Sequence, residues 1–471
     1  MTVSSGEADH GSFRDPHSRV LTRDGAVLRA LSSEGLADYR ALVASGLSTD
    51  RRVVGTTLTN AVVDDALLPG GVAAVLEHDR VPFISYPFEW TFSMLRDAAL
   101  LQLDLMVAAL EQDLTLKDAS PYNVQFRGAE ALFIDVGSFE QLREEELWVG
   151  YRQFCMLYLY PLLLQAAKGA RFQPWLRGSL DGIRPGDMRA MCSRRDAFRR
   201  GFPTHVFLYA RLDRRTGLDH PRIAGRLRRP GLGKQIITAN LRKMRRLVSR
   251  LHWDPPRGVW TSYGAENSYT DADASRKDEF VKAACTERRP RLVWDVGCNT
   301  GRHSRIAADV AAHVVAFDSD HGSVELLYRE LRTVADGRIL PLVIDAADPS
   351  PGLGWRNRER ATLIERGRPD LVLALAVVHH LAITNNVPLR EVVRWLADLG
   401  GAVVVEFPTR EDPMVQQMLR GKRDGLHGDY DRGCFERWLG ESFDVRRQVE
   451  LASGTRVLYD ATPRRQRGAD L

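Results

Sequence analysis

The chain has 471 residues, more than one ordinary hydrophobic core accommodates, so two or three domains are expected. At 44% hydrophobic and 27% charged it falls among soluble globular proteins, and no uninterrupted apolar run is long enough to span a bilayer. Its 66 basic residues stand against 61 acidic ones, and the resulting charge of +5 is too small to mark nucleic acid as the expected partner. Five cysteines, at 155, 192, 285, 298 and 434, are scattered and form no C-x-x-C pair. That spacing argues against a disulfide framework or a zinc site and suits a reducing cytoplasm, the expected location. The first residues lack the basic-then-apolar pattern of a secretory signal.

In chain order, residues 1–15 read as a disordered leader. Arg19–Leu31 reads as a hairpin around Asp24-Gly25, and Leu36–Leu47 has helical periodicity. Strands are expected at Ala73–Glu77 and Val81–Tyr86, and Leu95–Leu110 is an amphipathic helix. Next come LKDASPYNVQF and ALFIDVGSFE, spelling D-x-x-P-x-N and then a strand ending in D-x-G.

That pair of motifs resembles the catalytic loop and metal-binding motif of protein kinases and aminoglycoside phosphotransferases. The resemblance implies an α+β domain over residues 16–232, with Asp118 in the base position and Asn123 and Asp135 as metal ligands. No lysine precedes Lys117 and no Gly-rich loop is present, leaving Arg29 as the available replacement for a phosphate-pairing lysine. Arginine is not a neutral substitute there, so a kinase-like domain without phosphotransfer is expected. The alternative is that Asp118 and Asn123 only cap a turn before a strand.

Tyr151–Gln165 is an apolar helix. From Lys168 to Arg229 the chain turns basic, with paired arginines at 194–195, 199–200, 214–215 and 228–229. A solvated face is favoured over an acidic partner such as phosphate, a carrier protein or RNA, because no aromatic residues interleave as a stacking platform requires. Lys234–His252 is a basic amphipathic helix, read as a linker over residues 233–255. Trp253-Asp254-Pro255-Pro256 then marks the boundary of a second domain, 256–471.

That domain is organised around Leu292–Asp318. A helix capped by Asp273 or Ser275 runs to about Cys285. The apolar run of residues 292–294 then ends in Asp295, the chain turns at Gly297 and Gly301, a helix follows, and Val314–Phe317 ends in Asp318. Strand, turn, helix and strand in this order place two parallel strands side by side. The glycines allow a sharp turn close to a ligand, and Asp318 stands where an acid accepts hydrogen bonds from ribose hydroxyls. A dinucleotide would want glycine where Asn299 stands, and Asp295 would repel its pyrophosphate. S-adenosylmethionine, with ammonium, carboxylate and sulfonium, suits these charges better; an NAD site or no cofactor at all are the alternatives.

The acid-x-Gly-x-x-x-Gly spelling resembles motif I of class I S-adenosylmethionine-dependent methyltransferases, in which the position of Asn299 is usually glycine. The resemblance implies a cofactor site of Tyr269, Lys277, Asp295, Gly297, Asn299, Gly301, Asp318, Asp345 and Ala346. Tyr263 and Tyr269 lie on its lid side, Lys277 is the candidate for the methionine carboxylate, with a solvated helix lysine as the alternative, and Asp345 with Ala346 meets the adenine amino group. Further strands at Ile339–Ile344, Leu371–Val377 and Ala402–Val405, and a hairpin of Phe443–Val449 with Val457–Ala461, match a Rossmann-like, seven-stranded α/β sheet with an antiparallel edge strand. Two of these strands run into His379-His380 and Glu406, at the carboxyl edge where ligands meet an open sheet. His379, His380 and Glu406 are therefore candidate bases for an in-line methyl transfer, with His380 preferred as the reactive histidine, the other facing the core, and a polar strand end as the alternative for Glu406.

Through LKDASPYNVQF and ITNNVPL (Ile383 to Leu389), nearly the whole chain is similar to a family of class I methyltransferases related to nodulation proteins. The expected activity is methylation of a small, natural-product-type molecule; because the insert after Asp345 is too short to enclose a large substrate, the first half is expected to help form the acceptor site. An RNA methyltransferase using the basic middle region, or a nucleotide- or carrier-binding module, are the rival readings.

Overall fold

A computed structural model describes residues 7–143, 148, 150–216, 232–256, 270–423 and 425–464. Tyr263, Tyr269 and the arginines at 228–229 lie outside these, as do the side chains at 214–215. The chain forms two compact units, Met1–Asp254 with Gly352–Arg360, and Pro255–Pro351 with Ala361–Leu471.

The first unit begins with an antiparallel sheet of Glu7–Ala8 (β1), Ser18–Arg23 (β2), Ala26–Leu31 (β3), Thr56–Thr59 (β4) and Ala74–His78 (β5), ordered β1-β2-β3-β5-β4. Asp24 and Gly25, at φ 52° and 84°, make the tight β2–β3 turn, as the left-handed preference of such pairs dictates. Three differences from the sequence reading appear. Part of the leader is ordered: Glu7 and Ala8 pair with Thr22 and Leu21. The threonine-rich β4, half exposed and weakly patterned, has little apolar signal to announce it. Residues 81–86 form no strand, because the Ser85 backbone bonds to a side chain instead of a neighbouring strand. Its N–H donates to Gln125 Oε1 at 2.8 Å and its carbonyl accepts from Gln125 Nε2 at 2.9 Å.

Helix Phe92–Glu111, capped by Thr91, is largely buried. It leads to Leu114–Leu116 (β6), which pairs with Phe139–Gln141 (β9), while Val124–Arg127 (β7) pairs with Glu130–Phe133 (β8). The expected linker helix is Leu232–Val248, and it belongs to this unit. Its cations lie along Phe92–Glu111 and the residues just after it: Lys234 meets Asp113 at 2.5 Å, Arg242 meets Glu111 at 3.4 Å, and Arg245 pairs with Asp104. Lys168 and Arg199 both pair with Asp196. Five cations of the basic stretch and the helix after it are thus paired within their own unit.

In the second unit Leu292–Val296 (β10), His313–Asp318 (β11), Ile339–Val343 (β12), Leu371–Ala374 (β13), Ala402–Pro408 (β14), Phe443–Glu450 (β15) and Arg456–Pro463 (β16) form one sheet, ordered β12-β11-β10-β13-β14-β16-β15. The β10–β11, β11–β12, β10–β13 and β13–β14 pairs are parallel, whereas β16 is antiparallel to both β14 and β15. β10, β13 and β14 are buried almost throughout, as strands covered on both faces must be. The antiparallel strand expected at the edge lies one place in. β16 (RVLYDATP) is apolar enough for the interior, whereas β15 (FDVRRQVE) is mostly exposed and charged, which suits an edge. Strand order reverses between β10 and β13, so a crevice opens at their carboxyl ends, where open α/β sheets take their ligands. No described helix is long and apolar enough to cross a membrane.

Candidate functional site at the carboxyl edge of the sheet

The turn after β10 is closed by its own backbone and by Asp318. The N–H groups of Gly297 and Cys298 donate to the Phe317 carbonyl at 2.9 and 3.1 Å. Asn299 N–H donates to Asp318 Oδ2 at 2.9 Å, and Asp320 N–H to Asp318 Oδ1 at 2.8 Å. Gly297 and Gly301 have φ 70° and 81°; a Cβ on the first would stand 2.5 Å from Val377 Cγ2, and on the second 2.6 Å from Leu327 Cδ1. Asn299 is also left-handed, at φ 49°. Asparagine tolerates that conformation, which accounts for its standing where motif I usually has glycine.

Asp295 is buried, and Ser304 Oγ donates to its Oδ2 at 2.5 Å. Burial pushes the Asp295 carboxyl up to about 7 against the opposing pull of Ser304 and Lys277. Burial also raises the Asp318 carboxyl, while the N–H groups of Asp320 and Asn299 draw it down. Arg302 and Arg305, the cations nearest the turn in sequence, are engaged with Asp278 and Glu330.

Lys277 lies on helix Asp271–Arg288, which Thr270 caps. Its ammonium is buried and meets Glu406 Oε2 at 2.6 Å. Arg456 Nη1 lies 3.2 Å from Glu406 Oε1, and its Nε donates to Asp412 Oδ2 at 2.7 Å. Asp412 in turn caps helix Pro413–Leu419. Lys277, Glu406, Arg456 and Asp412 thus form a buried row of alternating charge. Glu406, expected as a base, has both oxygens paired with cations, and Lys277, expected to face a cofactor, is already paired. Arg456 and Asp412 went unnoticed in the sequence. The arginine opening the mostly apolar strand β16 was the available signal.

His379 is buried, and neither ring nitrogen has a hydrogen-bond partner. Its ring lies 4.2 Å from that of His380 at 41°. Burial first, then the neighbouring His380 and Arg456, hold His379 well below the usual imidazole range. Burial and Arg456 lower His380 to about 4. Both rings are therefore neutral near pH 7. Asp345 is exposed and accepts the Ala347 N–H at 2.9 Å, and Ala346 beside it is half buried. Tyr269 lies outside the described residues.

In the first unit, Asn123 Nδ2 and Ser138 Oγ donate to Asp118 Oδ1 at 2.6 and 3.1 Å, while Asp135 Oδ1 lies 2.7 Å from Arg29 Nη1. Among the described residues no group of three or more His, Cys, Asp or Glu could hold a metal ion.

No family model matches the chain. It is 35% identical over 454 residues to nodulation protein NoeA of Rhizobium meliloti (strain 1021), covering 95% of this chain and 94% of that protein. Among solved structures it is similar to N-methyltransferase NodS from Bradyrhizobium japonicum WM9, at 13% identity and a TM-score of 0.31, over 41% of this chain and 98% of that one. It is also similar to magnesium protoporphyrin IX methyltransferase from Synechocystis PCC 6803 with bound SAH, at 18% identity and a TM-score of 0.31, over 43% of this chain and 91% of that one.

Proposed function

This chain belongs to the family of nodulation protein NoeA, and within that family we propose that it transfers a methyl group from S-adenosylmethionine to a small-molecule acceptor. The observation that carries this reading is the glycine turn of β10, bound to Asp318 and open at the point where strand order reverses. The residues fit the cofactor. Glycines at 297 and 301 let the left-handed turn pack against Val377 and Leu327, Asp318 offers a carboxylate to ribose hydroxyls, and Asp345 with Ala346 stands after β12 for adenine. Asp295 at the end of β10 disfavours a pyrophosphate, and the nearby arginines are already engaged, which weighs against a dinucleotide.

When bound, the cofactor supplies a methyl group on a sulfonium. The chain's own residues would orient it and receive the acceptor. Lys277 is the group for the methionine carboxylate, and Glu406, holding Lys277 and Arg456, is an anchor more than a base. His379, neutral and with both ring nitrogens unused, is the group for an acceptor hydroxyl or amine, with His380 beside it. Calorimetric titration with S-adenosylhomocysteine tests the reading: binding is expected and is weakened in Asp318→Ala, whereas tight NAD binding with no S-adenosylhomocysteine binding would overturn it.

The first unit is proposed as a kinase-like fold that transfers no phosphate. ATP turnover that disappears in Asp135→Ala would overturn that. Its part in acceptor choice is likewise proposed and is tested by comparing the full chain with residues 256–471 for S-adenosylhomocysteine binding and methyl transfer. The basic middle region does not favour an RNA acceptor, since Lys168, Arg199, Lys234, Arg242 and Arg245 are in ion pairs. A binding constant for tRNA that falls steeply with salt would reverse this judgement.

A further inference from the structure

Two carboxylates of the first unit lie close together, and a single cation pairs with one of them. Asp118 follows β6 and Asp135 follows β8. Burial and the nearby Asp135 push the Asp118 carboxyl up to about 6, against the neutral donors Ser138 and Asn123. Asp135 has the charged partner: Arg29 Nη1, 2.7 Å from its Oδ1.

The guanidinium of Arg29 is held from three sides. Nη1 also donates to Ser18 Oγ at 2.8 Å, and Nε donates to His78 Nε2 at 3.2 Å. Burial, and then Arg29 itself, hold His78 down at about 3, so it stays a neutral acceptor. The D-x-G backbone leaves the necessary room: a Cβ on Gly137 would stand 3.0 Å from Arg29 Nη1 and 3.5 Å from Asp135 Oδ1. Beside Asp118 the buried Tyr158 hydroxyl has no hydrogen-bond partner, so the carboxyl group there keeps an unused donor and not a second cation.

The kinase resemblance implies a divalent ion on Asn123 and Asp135, and the residues present do not fit one. An ion on the Asp135 carboxylate would compete at Oδ1 with a guanidinium that has no other anion among its hydrogen-bond partners, and displacing it would leave a buried charge uncompensated. We infer that the cation of this site is the chain's own Arg29, which fixes β3 to the D-x-G turn and closes the site to divalent metal. Asp118, Asn123 and Asp135 otherwise present the oxygen donors that hard cations take, so removing the guanidinium should open the site.

Mn²⁺ titration of the full chain, followed by the electron paramagnetic resonance of the free ion, tests this. Native protein is expected to show no site above background that depends on Asp135. Arg29→Met, and Arg29→Gln as a second variant, are expected to gain one site at least tenfold tighter, lost again when Asp135→Asn is added. A native Mn²⁺ site that Asp135→Asn abolishes would overturn the inference, and so would a folded Arg29 variant with no gain. Should neither Arg29 variant fold, recovery of folding on adding Asp135→Asn supports the charge lock, and failure to recover counts against it.

Discussion

Lys277 Nζ and Glu406 Oε2 meet at 2.6 Å although 129 residues separate them, and both side chains are buried. The pair joins the helix before β10 to the end of β14. Its second anchor is Arg456, tied to Asp412.

Removing one partner of such a pair leaves a charge without compensation. Lys277→Met is expected to cost about 3–5 kcal/mol, and Glu406→Gln a similar amount. The double variant should cost clearly less than the sum, since Arg456 keeps Asp412. Urea unfolding of the four proteins measures the coupling, and additive costs would show that the two side chains act independently.

Asn299 and Asp318 fix the turn. Asn299→Gly should be tolerated, whereas Asn299→Ala should lose about 1–2 kcal/mol for left-handed backbone. Asp318→Ala removes the acceptor of two backbone N–H groups and of the proposed ribose bond. A loss of about 1.5–3 kcal/mol, roughly ten- to hundredfold in S-adenosylhomocysteine affinity, is expected by calorimetry. Wild-type affinity in Asp318→Ala would place the ribose elsewhere.

The second unit was legible because its signals are local: apolar runs of three to seven residues, two glycines with positive φ, and acids at strand ends. The row Lys277–Glu406–Arg456–Asp412 was not, because each partner lies on a different element and only the sheet's register brings β14 opposite β16. The place of β16, one strand in from the edge, likewise depends on which strand of the hairpin is more apolar, a comparison that periodicity alone does not make. In the first unit the sequence offers Arg29 as a replacement cation, but its partners His78 and Asp135 lie 49 and 106 residues away. The missing strand at 81–86 shows the reverse: a β-prone stretch whose Ser85 amide and carbonyl bond to one glutamine side chain.

Asp118 predicts a pH dependence. Its carboxyl is raised from 3.8 to about 6 by burial and by Asp135, so the folded state holds a proton that the unfolded state has released. The contribution is fully present below pH 3.8 and is lost as pH rises through 6. Asp118→Asn removes it. Between pH 4 and 7 the variant should gain on the native protein by about 2 kcal/mol, allowing for the partial exposure of the group. Denaturant unfolding at several pH values measures the difference, and a gap that does not change with pH would mean that Asp118 titrates alike in both states.

His379 should separate stability from activity. Its two ring nitrogens are buried with no partner, and such groups cost about 1–3 kcal/mol each when left unsatisfied. His379→Met, apolar and adaptable in shape, should therefore be as stable as the native protein or more so at pH 7. Its advantage should widen in acid. The folded pKa of His379 lies well below 6.5, so the stability it contributes holds above that pH and is lost as pH falls toward the folded value. Over that window the native protein should lose about 1.4 kcal/mol per pH unit relative to His379→Met. If the unused nitrogens serve the acceptor, the same variant should bind S-adenosylhomocysteine normally yet fail to transfer labelled methyl from S-adenosylmethionine to a cell-extract acceptor. A variant less stable than the native protein, with methyl transfer intact, would make His379 a core residue and leave the acceptor to His380.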